Sequence, residues 1–247
     1  MKITIITATR NNASTLHDTI SSVMNQTHSD IDYIIIDGNI SDNSVDIIKQ
    51  WQIRHPDKIR FISEPDNGVY QAINKGIRMA KGDIIGTLHG NDRFSSPDIL
   101  NQVSNAMQLH TADLIYGDVH FVKPGKNKCV RRYTSDKFRP EMLKIGIAPP
   151  HPSLYMRKEI FQQYGLYKED YLIGADFEMF TRLMLTHSIK GIYLPVDMVT
   201  MTTGGLSTQL YHRIVTNNRE KYRALRENNI KVNRFSLLKR YLYTLKS

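Results

Sequence analysis

The sequence predicts an α/β fold: a mainly parallel central sheet flanked by helices, followed by a C-terminal helical tail. Three observations predict it. Short apolar runs alternate with helix-period segments through the first half of the chain, which is the pattern of βαβ units. Each of those runs ends in a cluster of polar residues, and the last stretch is basic and amphipathic. With 247 residues, 40% of them hydrophobic, the chain is long enough to bury a sizeable core.

The elements follow in order. Four strands are expected at residues 3–9, 33–37, 59–63 and 83–88, where Ile-rich runs give way to polar residues. Helical spacing fills 14–26, 43–54, 69–80 and 97–108. After residue 112 the regularity falls. Residues 113–122 and 129–133 read as a strand pair around the turn Lys123-Pro124-Gly125-Lys126, so this half is expected to be mixed sheet. Helices are expected over 157–164 and from Asp176 to about His187, with a short strand at 191–195 and a further helix over 207–229. Beyond Asn233, the residues Phe235, Leu238, Tyr241, Leu242 and Leu245 share one helical side. That stripe suits either a membrane surface or docking on the domain.

Composition narrows the function classes. A single cysteine, Cys129, excludes an intramolecular disulfide framework and a multi-cysteine metal cluster. Met1 to Thr7 reads as a strand rather than a secretory leader, and no run of about 18 apolar residues suggests a membrane span. The net charge of +9 is uneven: residues 219–247 hold nine Lys/Arg against two Glu. That concentration argues for a tail that meets an anionic partner, or for a solvated basic helix, and against a uniformly basic nucleic-acid surface.

Ligands of open α/β sheets bind beyond the carboxyl ends of the strands, so the polar clusters there are the candidate site. They are Thr7-Ala8-Thr9-Arg10-Asn11, Asp37-Gly38-Asn39, Glu64-Pro65-Asp66-Asn67-Gly68 and His89-Gly90-Asn91-Asp92. None has the glycine spacing of a dinucleotide fingerprint or a P-loop lysine, so a diphosphate has to be neutralised another way. A carboxylate at a strand end can hold Mg²⁺ or Mn²⁺ against phosphate oxygens, and Asp92 is placed for that. Thr7 and Thr9 stand where base and ribose contacts are expected. Asp37 is expected to accept from the base, with the opening of a turn as the competing reading. For Asp66, orienting a nucleotide and capping the helix near Val69 are equally open. His151 approaches phosphates or metal, or is structural, and nine histidines without zinc spacing argue against zinc.

The run Ile84-Ile85-Gly86-Thr87-Leu88-His89-Gly90-Asn91-Asp92 resembles the strand-then-acidic signature of glycosyltransferase family 2. Thr7 to Asn11 resembles that family's first nucleotide-binding loop. The stretch from Ile34 through Asp37-Gly38-Asn39-Ile40-Ser41-Asp42 to Ser44 is similar to its second strand and turn. Ser63-Glu64-Pro65-Asp66-Asn67-Gly68-Val69-Tyr70-Gln71-Ala72-Ile73-Asn74-Lys75-Gly76 is similar to the bacterial O-antigen, capsule and colanic-acid branch. His151-Pro152-Ser153, Ala175-Asp176-Phe177-Glu178 and Gly204-Gly205-Leu206-Ser207 resemble its later motifs, so the resemblance runs over about residues 3–210 in the expected order.

The resemblance implies a GT-A-like fold and an inverting transferase. A hexose would pass from a nucleoside-diphosphate sugar, UDP-linked by preference, to a lipid-linked glycan in surface polysaccharide synthesis, at the inner face of a bacterial membrane. It makes Asp176 the catalytic base, in preference to Glu178, and places Asn91 and Asp92 at the nucleotide sugar, with Asp92 on the metal. Gly205 and Ser207 would belong to a loop closing over the diphosphate. Residues 1–206 form the catalytic domain, 1–111 its donor half and 112–206 its acceptor half, with 207–247 a basic helical extension. Two departures matter: Asn91 stands where the family usually has a second acid, and Ala175 replaces a Glu before Asp176. They keep a catalytically degenerate glycan-binding module in view. A sugar nucleotidyltransferase lacks support because no early Gly-rich activation signature is present.

Overall fold

In the computed structural model, residues 1–38, 42–203, 210–233, 236–237 and 240 are described, with only the backbone for 210–214. The first half forms four parallel strands, β1 (Ile3–Thr9), β2 (Ile31–Asp37), β3 (Ile59–Ser63) and β4 (Ile84–Thr87), in the spatial order β3-β2-β1-β4. The crossovers are α1 (Ala13–Met24), α2 (Ser44–Arg54) and α3 (Val69–Met79).

Two cores explain the nearly unbroken Ile runs. Ile6, Ala8, Ile34 and Ile36 point to one face and pack with Tyr70, Ile73 and Ile77 of α3. Ile3, Ile5, Tyr33 and Ile35 point to the other and meet Leu16, Ile20 and Val23 of α1. Strands covered on both faces lose the apolar-polar alternation that a half-solvated sheet would keep. Gly76 lets α3 close on the sheet, since a Cβ there would stand 2.5 Å from Ile6 Cγ2.

The second half is mixed, as expected. It contains β5 (Asp92–Phe94), α4 (Ile99–Leu109), β6 (Leu114–Val122), β7 (Cys129–Tyr133), β8 (Tyr155–Arg157), α5 (Lys158–Tyr164), α6 (Ala175–Phe180), β9 (Gly191–Thr202) and α7 (Leu210–Glu227). Single 3₁₀ segments occupy Pro140–Ile145 and His151–Ser153, and α6 continues into a π-helical stretch, Thr181–Thr186. The sheet runs β3-β2-β1-β4-β8-β6-β9-β5, with β7 paired on β6. β8 is antiparallel to β4 and β6, whereas β9 is parallel to β6 and antiparallel to β5.

Several expectations need correction. The strand expected to stop at Pro195 continues to Thr202, because Pro195 falls in a register irregularity between the pairs Tyr116↔Tyr193 and Asp118↔Asp197, where no ladder N–H is required. Asp92, expected beyond a strand end, is itself the first residue of the short strand β5. The helix expected from Asp176 begins one residue earlier, behind Gly174. Gly205, Ser207 and the stripe Phe235, Leu238, Tyr241, Leu242, Leu245 lie outside the described residues. No helix among the described residues is long and apolar enough to cross a membrane.

Candidate functional site

The parallel register brings three of the four polar clusters level: Thr9 pairs with Asp37, and Asp37 with Ser63. The fourth, His89 to Asp92, folds over the end of β1. Gly90 makes that approach possible, since a Cβ there would lie 2.6 Å from Thr9 Oγ1 and 2.8 Å from Asn12 Nδ2. Thr9, Asp37, Asp66, Asn91 and Asp92 therefore share one sheet edge. Thr7 does not join them: it is fully buried, and its hydroxyl lies 3.0 Å from that of Tyr33.

At this edge Asp37 is buried and accepts from the Ser63 hydroxyl at 2.7 Å. Asp66 accepts from the Gly68 amide at 3.1 Å just ahead of α3, and its Oδ2 lies 2.9 Å from where a Gly38 Cβ would sit. Asp66 therefore closes a turn onto Gly68, and α3 has no side-chain cap, so the capping reading is not realised. Asn11 is exposed at φ 57°, the left-handed region that asparagine tolerates. Asn91 Oδ1 lies 2.8 Å from the Thr15 hydroxyl, which ties it to α1.

Asp92 is buried at 4% exposure, and its partner Met201 on β9 puts it against the Thr202 amide. It has no ion pair with a described residue. Burial pushes its pKa up to about 7, against a lowering hydrogen bond from Thr202. A buried carboxylate without a compensating cation is a suitable oxygen donor for Mg²⁺ or Mn²⁺, which bind one or two carboxylates and take substrate phosphates for the rest. No group of three or more His, Cys, Asp or Glu among the described residues could hold a metal alone. The donor set therefore fits a cation shared with a bound diphosphate.

Asp176 forms the second centre. It is the second residue of α6, partly accessible, and its Oδ1 accepts from the Phe177 amide at 2.8 Å and from the Tyr70 hydroxyl at 3.3 Å. Desolvation raises its pKa, and the Phe177 amide, Lys221, Tyr70 and His89 oppose the rise. Tyr70 also lies against the amides of Ala175 and Asp176, so one hydroxyl from α3 fixes the start of α6. Its ring stacks on Tyr167 at 5.9 Å, Tyr167 lies 2.9 Å from His151 Nε2, and His151 meets His89 at 5.8 Å between centroids. Burial lowers both histidines to about 4; His151 lowers His89 further, while Asp176 opposes that. Both are neutral near pH 7.

His89 thus couples electrostatically to Asp176 while belonging to the loop that carries Asp92. Glu178 is excluded from such a role by its surroundings. It is fully buried, paired with Arg182 at 3.0 Å and Lys168 at 3.4 Å, and accepts from Asn228. It is committed to holding α6 and α7 together.

Sequence reasoning missed Tyr70, His89, Tyr167 and Lys221. Lys221 donates to the Gly146 carbonyl at 2.6 Å and lies 4.9 Å from the Phe177 ring centroid. Burial and Arg240 lower its pKa to about 8, with Asp176 opposing. Tyr70 and His89 stood inside quoted motifs, whereas nothing in the local pattern marks Tyr167 or Lys221.

Comparison with known proteins bears on the fold and the family. The family model described as glycosyl transferase family 2 matches residues 4–165. An uncharacterized glycosyltransferase of Nostoc is 31% identical over 173 residues, 66% of this chain and 53% of that protein. The chain therefore spans about half the length of that relative. A PGL/p-HBAD biosynthesis glycosyltransferase of Mycobacterium bovis is 26% identical over 208 residues, 83% of this chain and 79% of that one. Among solved structures, S. aureus TarS 1-349 in complex with UDP-GlcNAc has a TM-score of 0.71 at 13% identity, covering 91% of this chain and 66% of that one. The mannosyltransferase PcManGT of Pyrobaculum calidifontis, in complex with GDP-Man and Mn²⁺, has a TM-score of 0.69 at 16% identity, covering 98% and 69%. These structural likenesses, at TM-scores of 0.69 and 0.71, show the shared GT-A-like fold. With the family model matching well over half its residues, the chain belongs to glycosyl transferase family 2.

Proposed function

We propose that the protein transfers a hexose from a nucleoside-diphosphate sugar, UDP-linked by preference, to a lipid-linked glycan acceptor, with inversion at the anomeric carbon. The observation that carries this reading is the pair of carboxylates with raised pKa, Asp92 and Asp176, linked through the His89 loop. Residues 1–111 serve as the donor half and 112–206 as the acceptor half, with 207–247 an extension. Thr9, Asn11, Asp37 and Asp66 hold the nucleoside, while Asn91 and Asp92 face the diphosphate. Asp92 would hold a divalent cation, which would neutralise charge on the leaving diphosphate when bound.

The acceptor hydroxyl loses its proton to an Asp176 oxygen as its own oxygen bonds to the anomeric carbon, and the bond from that carbon to the diphosphate oxygen breaks. A base held above the ordinary carboxylate range is better matched to a hydroxyl that becomes acidic only in the transition state. Tyr70 and the Phe177 amide orient the carboxylate. The PcManGT complex holds GDP-Man and Mn²⁺, and the TarS complex UDP-GlcNAc, which favours a nucleotide-sugar donor and leaves the base to measurement.

The test is incubation with Mn²⁺, a panel of UDP-, GDP- and dTDP-sugars and lipid-linked acceptors. Release of nucleoside diphosphate together with an extended glycan is expected from one donor. Asp176→Asn should lower turnover by about 10²- to 10⁴-fold with donor affinity nearly unchanged. Tight saccharide binding without turnover from any donor would instead establish a degenerate glycan-binding module, the reading that Asn91 and Ala175 keep in view.

A further inference from the structure

The basic tail is not the only concentration of positive charge. Between Val119 and Tyr133 the chain has five Lys/Arg and no Asp or Glu. The structure folds this segment as the β6–β7 hairpin. The turn is closed by the Lys126 amide donating to the Lys123 carbonyl at 3.0 Å, with Gly125 at φ +67°. Every residue from Lys123 to Arg132 is exposed. Lys123, Lys126 and Lys128 have no ion pair with a described residue. Arg131 lies over the Phe121 ring, and Arg132 reaches Asp197 at 3.4 Å while its side chain stays 65% exposed. Val130 stands among these cations at 48% exposure.

The hairpin's position separates it from an ordinary solvated charge run. Val122, the last residue of β6, pairs with Thr202 of β9, and its carbonyl accepts from the Thr203 amide at 2.8 Å. Thr202 is the residue whose amide meets the Asp92 carboxylate. From the other side Arg93, next to Asp92, donates to Asn127 in the hairpin loop at 3.0 Å. The cationic loop therefore projects from the rim of the Asp92 end of the sheet, tied to it on two sides, and Arg93 adds a sixth cation.

We propose that the β6–β7 hairpin is a docking surface for the anionic phospholipid headgroups of a bilayer, holding the mouth of the site against the membrane. A flat array of headgroup phosphates complements several exposed cations at once, each worth about fivefold in partitioning near such a surface. Val130 offers a small apolar contact between them, and the lysine stems can cover apolar surface while their ammonium groups stay at the phosphates. This surface lies apart in sequence from residues 207–247 and does not need the tail to bind lipid.

The experiment is co-sedimentation of the full chain with phosphatidylglycerol–phosphatidylcholine vesicles and with phosphatidylcholine vesicles alone, at low and high salt. The wild type should partition to the anionic vesicles only, and high salt should release it. The variant Lys123→Glu/Lys126→Glu/Lys128→Glu/Arg131→Glu should partition at least about 600-fold less, while its nucleotide-induced thermal shift stays that of the wild type. If that variant is unfolded by circular dichroism, the same four positions changed to Ser carry the test, with an intermediate loss expected. Partitioning of the folded variant within about twofold of wild type, or equal wild-type binding to both vesicle types, overturns the proposal. So does retention by the variants combined with loss on deleting residues 233–247. Absence of any nucleotide-induced shift would count against the donor reading and leave the vesicle result to decide the hairpin.

Discussion

Asp176 shows how little of a catalytic carboxylate's behaviour comes from its own identity. Its pKa is raised by desolvation and held back by the Phe177 amide, Lys221, Tyr70 and His89, so removing a donor has a predictable sign. Tyr70→Phe keeps the ring stacked on Tyr167 but deletes the hydrogen bond that favours the charged form. The acid limb of kcat/KM, which rises as the base deprotonates, should move to higher pH, and a pH–rate series measures it. Asp92 supports a second prediction. Its folded pKa of about 7 exceeds the ordinary 3.8, so the folded state holds the proton more tightly than the unfolded one. The stability contributed by the protonated form is present below about 4 and lost as pH rises through about 7. In chelator above pH 7, Asp92→Asn should melt higher than wild type, whereas Mn²⁺ with UDP should stabilise the wild type and not the variant. Thermal scans with and without metal check both. The strand-end position made Asp92 legible from the sequence, and the family resemblance singled out Asp176. Their partners were not legible, because Tyr70 and Asp176 are 106 residues apart and meet only through packing.

Among the elements, legibility followed length and solvent exposure. β1 to β4 each keep apolar runs that end in polar residues, and α1 to α4 keep a 3.6-residue period, so their existence could be read directly. β5 and β8 have three residues each, too few to carry a period, and their pairing is imposed by β9 and by β4. α7 has a function its amphipathic pattern does not announce. Glu220 accepts the amides of Leu172 at 2.7 Å and Ile173 at 3.0 Å, and a Cβ on Gly174 would lie 3.0 Å from it. The helix thereby grips the segment that leads into Asp176. Glu220→Gln retains the shape but weakens a charge-assisted acceptor. It should cost about 1–2 kcal/mol in urea denaturation and lower kcat by severalfold with little change in donor affinity. An unchanged kcat beside a lowered stability would show that the grip is structural only.

For the whole molecule, the two faces of one sheet divide the labour. The face that packs with α3 also packs with α6 and α7, and so builds the surroundings of Asp176. The opposite face, covered by α1, α2 and α4, carries the rigid frame under the nucleotide edge. The α/β class and its parallel half could be read because burial on both faces leaves a strong hydrophobic signature. The mixed half could not be read in detail, because a proline hid most of β9.

That strand is also a question of chain length. β9 uses 12 residues to run beside the 9 of β6, and the surplus is taken up in two steps, between Tyr116 and Asp118 and between Asp118 and Val119. The surplus is slack, gathered upstream of the pairs that deliver Thr202 to Asp92. Shortening should therefore be tolerated very unequally along one strand. Removing Pro195 and Val196 together draws on the slack and should leave a folded protein that still answers Mn²⁺ and UDP with a thermal shift. Removing Met201 alone, a smaller change, should weaken that response, because the pairs from Val199 to Thr202 hold no surplus and the deletion has to be taken up within the stretch that faces Asp92. Insertions and deletions tolerated in a library scan of residues 191–202 should accordingly cluster near Pro195 and stop before Val199.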